Sequence, residues 1–413
     1  MFKITRIPRE LQDFFEPMRA MFHWNHFQYF CLLVVAMGFS WGNRTVSNLY
    51  RHLCARTLGH RSRLNNFFLV GRWDAAGLLR SVACRLLRML APQAGDLIEL
   101  IIDDSCKQKR GKLMEAVGWL YQYSTGRKIR GHHYVVAVLR FRGYDIPWGI
   151  RLYVKKEHAR SLGLPFKKLT TLACELISEF TPPQGVRVRV LFDSYYLCAK
   201  VYKTCRRKEF RFVSTLKSNR TLYKGGRRLK AGLYGKHLLC NGRREKGRIY
   251  SKEEAGTVRY TYVDAGWLRL NGVGEVHVVF SRKGSERRIL GIVTDDGSLC
   301  AADIIKAYEG RWRIEVFFKD AKQCLGLGQY QNGTYRAAVI HLHLVCFAHA
   351  LLTHLAIKRD GEKGKLTPTA RLSISALQNE LRRILWKDTL STLRTLPQGG
   401  NLLDELDKLL IAA

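Results

Sequence analysis

The order in which strand-like and helix-like segments follow one another most narrows what this chain can fold into. From Asp96 onward, three apolar stretches of strand length, Leu97 to Asp104, His133 to Phe141 and Trp148 to Val154, are separated by Gly/Arg-rich turns such as Ser124 to Gly131. An amphipathic helical stretch, about Leu164 to Phe180, comes next. After Pro182 and Pro183 a strongly β-branched strand runs from Val186 to Asp193, then a helix from Tyr195 to Lys208 and another strand from Phe210 to Leu216.

Three strands, helix, strand, helix, strand is the order of an RNase H-like α/β core, a mixed sheet flanked by helices. Residues 219–287 interrupt it with Gly-rich, basic, short-strand sequence and read as a β-rich insertion. The core resumes with a strand, Arg288 to Thr294, a long helix from about Ala302 to Cys324 and a second helix over roughly Tyr335 to Lys358. The expected organisation is a helical domain over 1–95, the α/β core over 96–218 and 288–360 with the insertion between, and a helical C-terminal tail over 361–413. The tail begins with a polar linker, Gly361 to Pro368, and is interrupted near Pro397 to Gly400.

Charge points to the partner. Lys and Arg number 70 against 34 Asp and Glu, a formal net charge of +36, spread along the chain at Arg56, Arg72, Lys107, Arg130, Lys156, Arg207, Arg228, Arg282, Arg313 and Arg382. Such an excess fits a polyanion lying along an extended surface. With 46% apolar residues the chain is globular rather than disordered. Its eleven Cys are scattered singly with no C-x-x-C pair, which reads as reduced thiols in a cytosol. No secretory signal order is seen at the N-terminus, and the apolar runs at Tyr29 to Met37 and Ala337 to Ile357 are short or broken by His341, His343, His349 and His354, so a cytoplasmic protein is expected. Those four histidines share a helix with Val339, Leu342, Val345, Leu351 and Leu352 and read as buried rather than metal-binding.

In the N-terminal region Thr45 caps a helix through Val46, Leu49, Tyr50 and Leu53, Gly59 ends it, and a second segment runs from Ser62 to Phe68. With Arg51, Arg56, Arg61 and Arg63 around the turn this is either a helix-turn-helix DNA reader or a helical hairpin with a solvated basic face.

Two aspartate motifs close apolar strands: Ile101-Ile102-Asp103-Asp104-Ser105 and Val190-Leu191-Phe192-Asp193-Ser194. Carboxylates there point into the crevice where sites form in open α/β sheets, although Asp-Ser is also ordinary turn chemistry. Farther on, Tyr308, Arg311, Glu315 and Lys322 obey the spacing Y-(2)-R-(3)-E-(6)-K. On one regular helix they fall within roughly a 60° arc, with Ile305, Trp312 and Val316 to one side, facing the sheet. A salt-bridged surface helix would give the same Arg311 to Glu315 pair.

The chain resembles the DDE transposases of bacterial insertion sequences that carry the Y-(2)-R-(3)-E-(6)-K signature. The resemblance covers roughly Asp96 to Ile357 and takes in the Asp-Ser motifs and Lys217-Ser218-Asn219-Arg220. It implies a catalytic triad of Asp104, Asp193 and Glu315 holding two Mg²⁺ ions, for which Mn²⁺ substitutes. Asp104 is preferred to Asp103 because family motifs place the acid just before Ser or Thr; Asp103 stays open, since strand ends twist and bulge. The resemblance further implies that Tyr308, Arg311 and Lys322 grip DNA phosphates beside Lys217 and Arg220, and that an aromatic of the insertion, here Trp267, holds a flipped base. An aromatic packing the insertion's own core is the alternative for Trp267. The expected activity is cut-and-paste cleavage and strand transfer at terminal inverted repeats by a homodimer on double-stranded DNA. The rival readings are an RNase H-like structure-selective nuclease and an inactive DNA-binding derivative.

Overall fold

The computed structural model describes residues 3–54, 59–71, 73–122, 125–242, 244–251, 256–364 and 373–394. Arg56, Arg72, the linker from residue 365 on and the interruption at Pro397 to Gly400 lie outside them. After short helical turns between Arg9 and Met21, the longer helices described before the sheet are α1 (Trp24–Phe39), α2 (Val46–Arg51), α3 (Ser62–Val70) and α4 (Ala75–Met89). Thr45 caps α2 as its sequence requires, its side chain accepting the Asn48 N–H at 3.3 Å.

The core strands then follow in the expected order: β1 (Leu97–Gln108), β2 (Gly118–Gln122), β3 (Arg127–Phe141), β4 (Tyr144–Tyr153), helices α5 (Lys156–Ser161) and α6 (Leu169–Ser178), β5 (Arg187–Phe192), α7 (Ala199–Arg207) and β6 (Arg211–Leu216). β4, β3 and β1 pair antiparallel, and β1, β5 and β6 pair parallel. This is the mixed, helix-flanked sheet of an RNase H-like fold. Several details differ from expectation: β2 is an added strand, and the helix read at about Leu164 to Phe180 is α6, with α5 before it as a separate helix. β1 does not stop at Asp104 but runs on to Gln108, held by β3 alone, because its pairing with β5 ends at Ile101 opposite Leu191. The stretch Ser124 to Gly131, read as a turn, instead supplies from Arg127 the start of β3, whose basic residues pair with β2.

Residues 219–287 contain β7 (Thr221–Lys224), β8 (Arg227–Lys230), helix α8 (Ala231–Asn241), β9 (Glu245–Ser251), β10 (Gly256–Leu270) and β11 (Gly274–Lys283). α8 was not foreseen, since two glycines in one short helix argue against it. Gly235 is there because a Cβ would come within 2.4 Å of the Phe280 ring. β12 (Leu290–Thr294) pairs antiparallel with both β6 and β11, so the described strands form one continuous twelve-stranded sheet.

The predicted long helix is two, α9 (Ala301–Glu309) and α10 (Trp312–Gln323). Between them the backbone bonds tighten to i→i−3, from Gly310 N to Ala307 O (3.0 Å), Arg311 N to Tyr308 O (2.9 Å) and Ile314 N to Arg311 O (3.1 Å). A tightened turn advances each side chain by about 120° instead of 100°. That rotation brings Ile314, Phe317, Phe318 and Ala321 into the core, whereas Trp312 and Val316, expected against the sheet, stay half-buried. A Cβ at Gly310 would meet Ala307 O at 2.9 Å, Glu99 Oε1 at 3.0 Å and Leu191 Cδ1 at 3.2 Å. Glycine therefore lets the break press against β1 and β5.

Last come α11 (Tyr335–Glu362) and α12 (Ile374–Arg394). Among the described residues α11 is the helix long and apolar enough to cross a membrane, but that window is wholly buried by protein, as in a core helix. α1 and α12 both pack on it, with Phe30 edge-on to Phe347 at 5.0 Å. His341, His343 and His349 are buried in α11, and burial pushes them down to about 3, 4 and 4, which keeps them neutral.

Candidate active site

The acids lie where β1 and β5 part. Asp103 and Asp104, paired with Val136 and Val135 of β3, are successive strand residues and point to opposite faces. Asp103 meets the helix break: its Oδ2 accepts from the Arg311 guanidinium at 2.6 Å, while Oδ1 accepts the Asp104 N–H at 2.9 Å. Asp104 turns the other way. Its Oδ2 lies 2.5 Å from His133 Nε2 and its Oδ1 accepts the Tyr196 hydroxyl at 2.7 Å. Asp193, just past β5, accepts the Tyr195 N–H at 2.9 Å, so the turn role that Asp-Ser allows is also filled. Glu315, in the first turn of α10, lies 3.4 Å from Arg311.

Arg311 is the hub of this arrangement. It also donates to the Tyr308 hydroxyl at 3.1 Å, and Lys322, one face farther along α10, donates to Ser105 Oγ at 2.6 Å. Arg311 and Lys322 thus reach β1 itself, while Tyr308 and Glu315 flank Arg311. Burial opposes the Arg311 charge, but Tyr308, Asp103 and Glu315 outweigh it and hold the guanidinium charged more firmly than usual. Burial lowers Lys322.

The carboxylates feel one another. Burial pushes Asp103 up to about 8; Arg311 opposes this, but the charges of Asp104, Asp193 and Glu315 add to it. Asp193 is raised by burial and by Asp104, against the Tyr195 N–H and Arg311. Four acids share a neighbourhood with one buried guanidinium, a surplus of negative charge that a cation would relieve. Hard carboxylate oxygens in this setting suit Mg²⁺ or Mn²⁺. Among the described residues, however, no three His, Cys, Asp or Glu side chains converge closely enough to hold a metal ion as they stand, because each acid is turned toward a protein donor.

A family model of DDE superfamily endonucleases matches residues 20–265. The chain belongs to that family. No individual curated protein matches it. DDE endonucleases act on DNA with divalent metals, which agrees with the acid-rich crevice and with the charge of +36. In this DDE endonuclease the matched segment contains both aspartate motifs; α10, with Glu315, lies beyond it.

The other expected DNA contacts divide. Lys217 is exposed past β6, its ammonium 5.8 Å from the Tyr195 ring. Arg220 instead donates to the Leu197 and Asn271 carbonyls at 2.9 and 2.8 Å, tying two turns together. Arg61 and Arg63 are exposed on α3 and the turn before it; Arg61 reaches Ser47 Oγ of α2 at 3.3 Å. Trp267 is half-exposed and stacks on His277 at 5.5 Å. Its register through His277, Thr294 and Val213 sets it level with Leu191, below the acids. The aromatics beside Arg311 are Tyr260, Tyr308 and Trp312, which line a cleft of about 380 Å³ with Lys283 and Arg288. Sequence reasoning missed Tyr260, His133 and Tyr196. Alternation along β3 puts His133 and Val135 on one face, but only the register with β1 places that face over Asp104.

Proposed function

We propose that this DDE endonuclease is a transposase that binds the terminal inverted repeats of its element and catalyses metal-dependent strand cleavage and strand transfer by a cut-and-paste route. The observation that supports the reading is the acid-rich end of β1, where Asp103 meets Arg311 at 2.6 Å within electrostatic reach of Asp104, Asp193 and Glu315, and Asp104, on the other face, is held by His133 and Tyr196. Asp193, Glu315 and an aspartate of β1, Asp104 by its place before Ser105, would hold the divalent ions. When bound, such ions activate a water or 3′-hydroxyl and stabilise the leaving oxygen on phosphorus.

The chain's own residues supply the rest. His133 and Tyr196 fix the Asp104 carboxylate in one orientation, as outer partners do for metal ligands. Arg311, Tyr308 and Lys322 are brought to the crevice by α9 and α10, so that a phosphate competing for Arg311 frees Asp103. Lys217 offers an exposed cation past β6. Two element ends must meet, so we infer a dimer on DNA, acting in the cytoplasm on nucleoid DNA.

Incubation with the element's own ends and Mg²⁺ tests this. The transposase cuts the ends and joins them to target, while Asp193→Ala and Glu315→Ala bind without cutting. Cutting without joining would make the protein a nuclease; binding by the intact chain without either step would make it an inactive derivative.

A further inference from the structure

Among the described residues, β2 carries two of the most exposed aromatic side chains, Trp119 at 64% and Tyr121 at 52% exposure. β2 pairs antiparallel with the basic start of β3, with Trp119 opposite Arg130, Leu120 opposite Ile129 and Tyr121 opposite Lys128. Directly opposed residues share a face. Ile129 is buried and Leu120 half-buried, so the inner face is apolar, and the outer face shows Trp119, Tyr121, Lys128 and Arg130, with exposed Arg127 next along the ribbon. The Arg130 guanidinium donates to the Gly111 and Lys112 carbonyls at 2.7 and 3.0 Å, which pins the loop bearing exposed Arg110 and Lys112 beside the ribbon.

We propose that this ribbon is a stacking platform for unpaired bases of the DNA substrate, an inference that rests on the DNA-cutting role above. Cations alone would serve a duplex, whose phosphates are its outer surface. Two exposed rings gain contact only from bases whose faces are open, and every base has such a face. Residues two apart on one strand face are separated by about 6.7 Å. That is close to twice the roughly 3.4 Å rise per base, so one base fits between the rings. The ribbon is also well placed. From Arg130, opposite Trp119, to Val136, opposite Asp103, is six residues of β3, an even step that puts the rings on the sheet face where Asp103 meets Arg311, about 20 Å away along the strand. An unpaired flank held there lies a few nucleotides from a phosphate at the acids.

The test is fluorescence anisotropy with the full-length chain in EDTA, using a blunt duplex, the same duplex with an oligothymidine overhang carrying 2-aminopurine, and free oligothymidine. The intact protein prefers the overhang and quenches 2-aminopurine. Trp119→Ala weakens overhang and oligothymidine binding by about 10-fold and abolishes the quench, leaves the blunt duplex within about twofold, and is rescued by Trp119→Phe. Lys128→Ala weakens all three probes alike and lowers the salt slope by about one. Should Trp119→Ala melt early, Tyr121→Ser is read in its place. The proposal is overturned if the overhang adds no affinity, if Trp119→Ala weakens all probes equally, or if its main effect is to abolish a concentration-dependent dimer, which would make the ribbon a protein contact. Cleavage in Mg²⁺ is scored separately: an overhang preference without cleavage sinks the transposase reading and leaves the ribbon standing.

Discussion

Replacing Arg311 with Met should destabilise the protein in a way that grows with pH. In the native chain Asp103 is 13% and Arg311 15% exposed at the side chain, 2.6 Å apart. Removing one partner of such a pair costs about 3 kcal/mol when the other stays charged, and about 1 kcal/mol, one hydrogen bond, when it is neutral. Unfolding entropy of about 2.1 cal/mol/K per residue gives roughly 0.9 kcal/mol/K for 413 residues, so the charged case lowers Tm by about 3 to 4 °C and the neutral case by about 1 °C. Asp103 is pushed up to about 8 by burial and its acidic neighbours. Its raised value makes the native state favour the protonated acid, so stability from this source is complete below the ordinary carboxylate range and is lost as pH rises through about 8. Thermal melts by circular dichroism near pH 6 and near pH 9 should therefore show a small loss for Arg311→Met at the lower pH and the full loss at the higher. Asp103→Asn removes the titrating group, and the double variant should recover most of the loss at high pH. Equal losses at both pH values, or a double variant as unstable as Arg311→Met at high pH, would refute the pairing argument.

Asp104→Asn should abolish metal-dependent nicking while Asp103→Asn slows it and leaves DNA affinity intact; the opposite ranking in parallel assays would move the metal ligand to Asp103. His133→Gln and Tyr196→Phe should each raise the Mg²⁺ requirement or lower activity by about 10- to 100-fold, with Mg²⁺ titration of the cleavage rate as the readout. Because burial raises Asp193, Mn²⁺ bound there must displace the proton that Asp193 keeps at low pH. Calorimetry in buffers of different ionisation enthalpy should show proton release that grows as pH falls, and binding should tighten as pH rises.

Residue type fixed much of this fold in advance. β-branched runs gave β1, β3, β5 and β6, whereas the spacing from Tyr308 to Lys322 read as one helix, which the structure breaks into α9 and α10 while still bringing Arg311 to Asp103 and Lys322 to Ser105. What stayed hidden was register and local backbone tightening. Adjacent aspartates are equivalent in a sequence, and only the pairing of β1 with β3 sends Asp103 to Arg311 and Asp104 to His133. The break at Gly310 shows as a single glycine, yet it rotates every later side chain of α10. Trp267 was the natural choice of aromatic because it is the lone Trp of the insertion; strand register puts Tyr260 beside Arg311 instead.

β12 is short, but it stitches the strands of residues 219–287 to β6 without a gap. A sheet joined in this way resists shear, so the wall carrying Tyr260 and Lys283 cannot swing independently of the strand that leads to Asp193. Whatever adjustment brings the acids together on a substrate must then come from side-chain rotation, while the plate beneath them works as a rigid anvil.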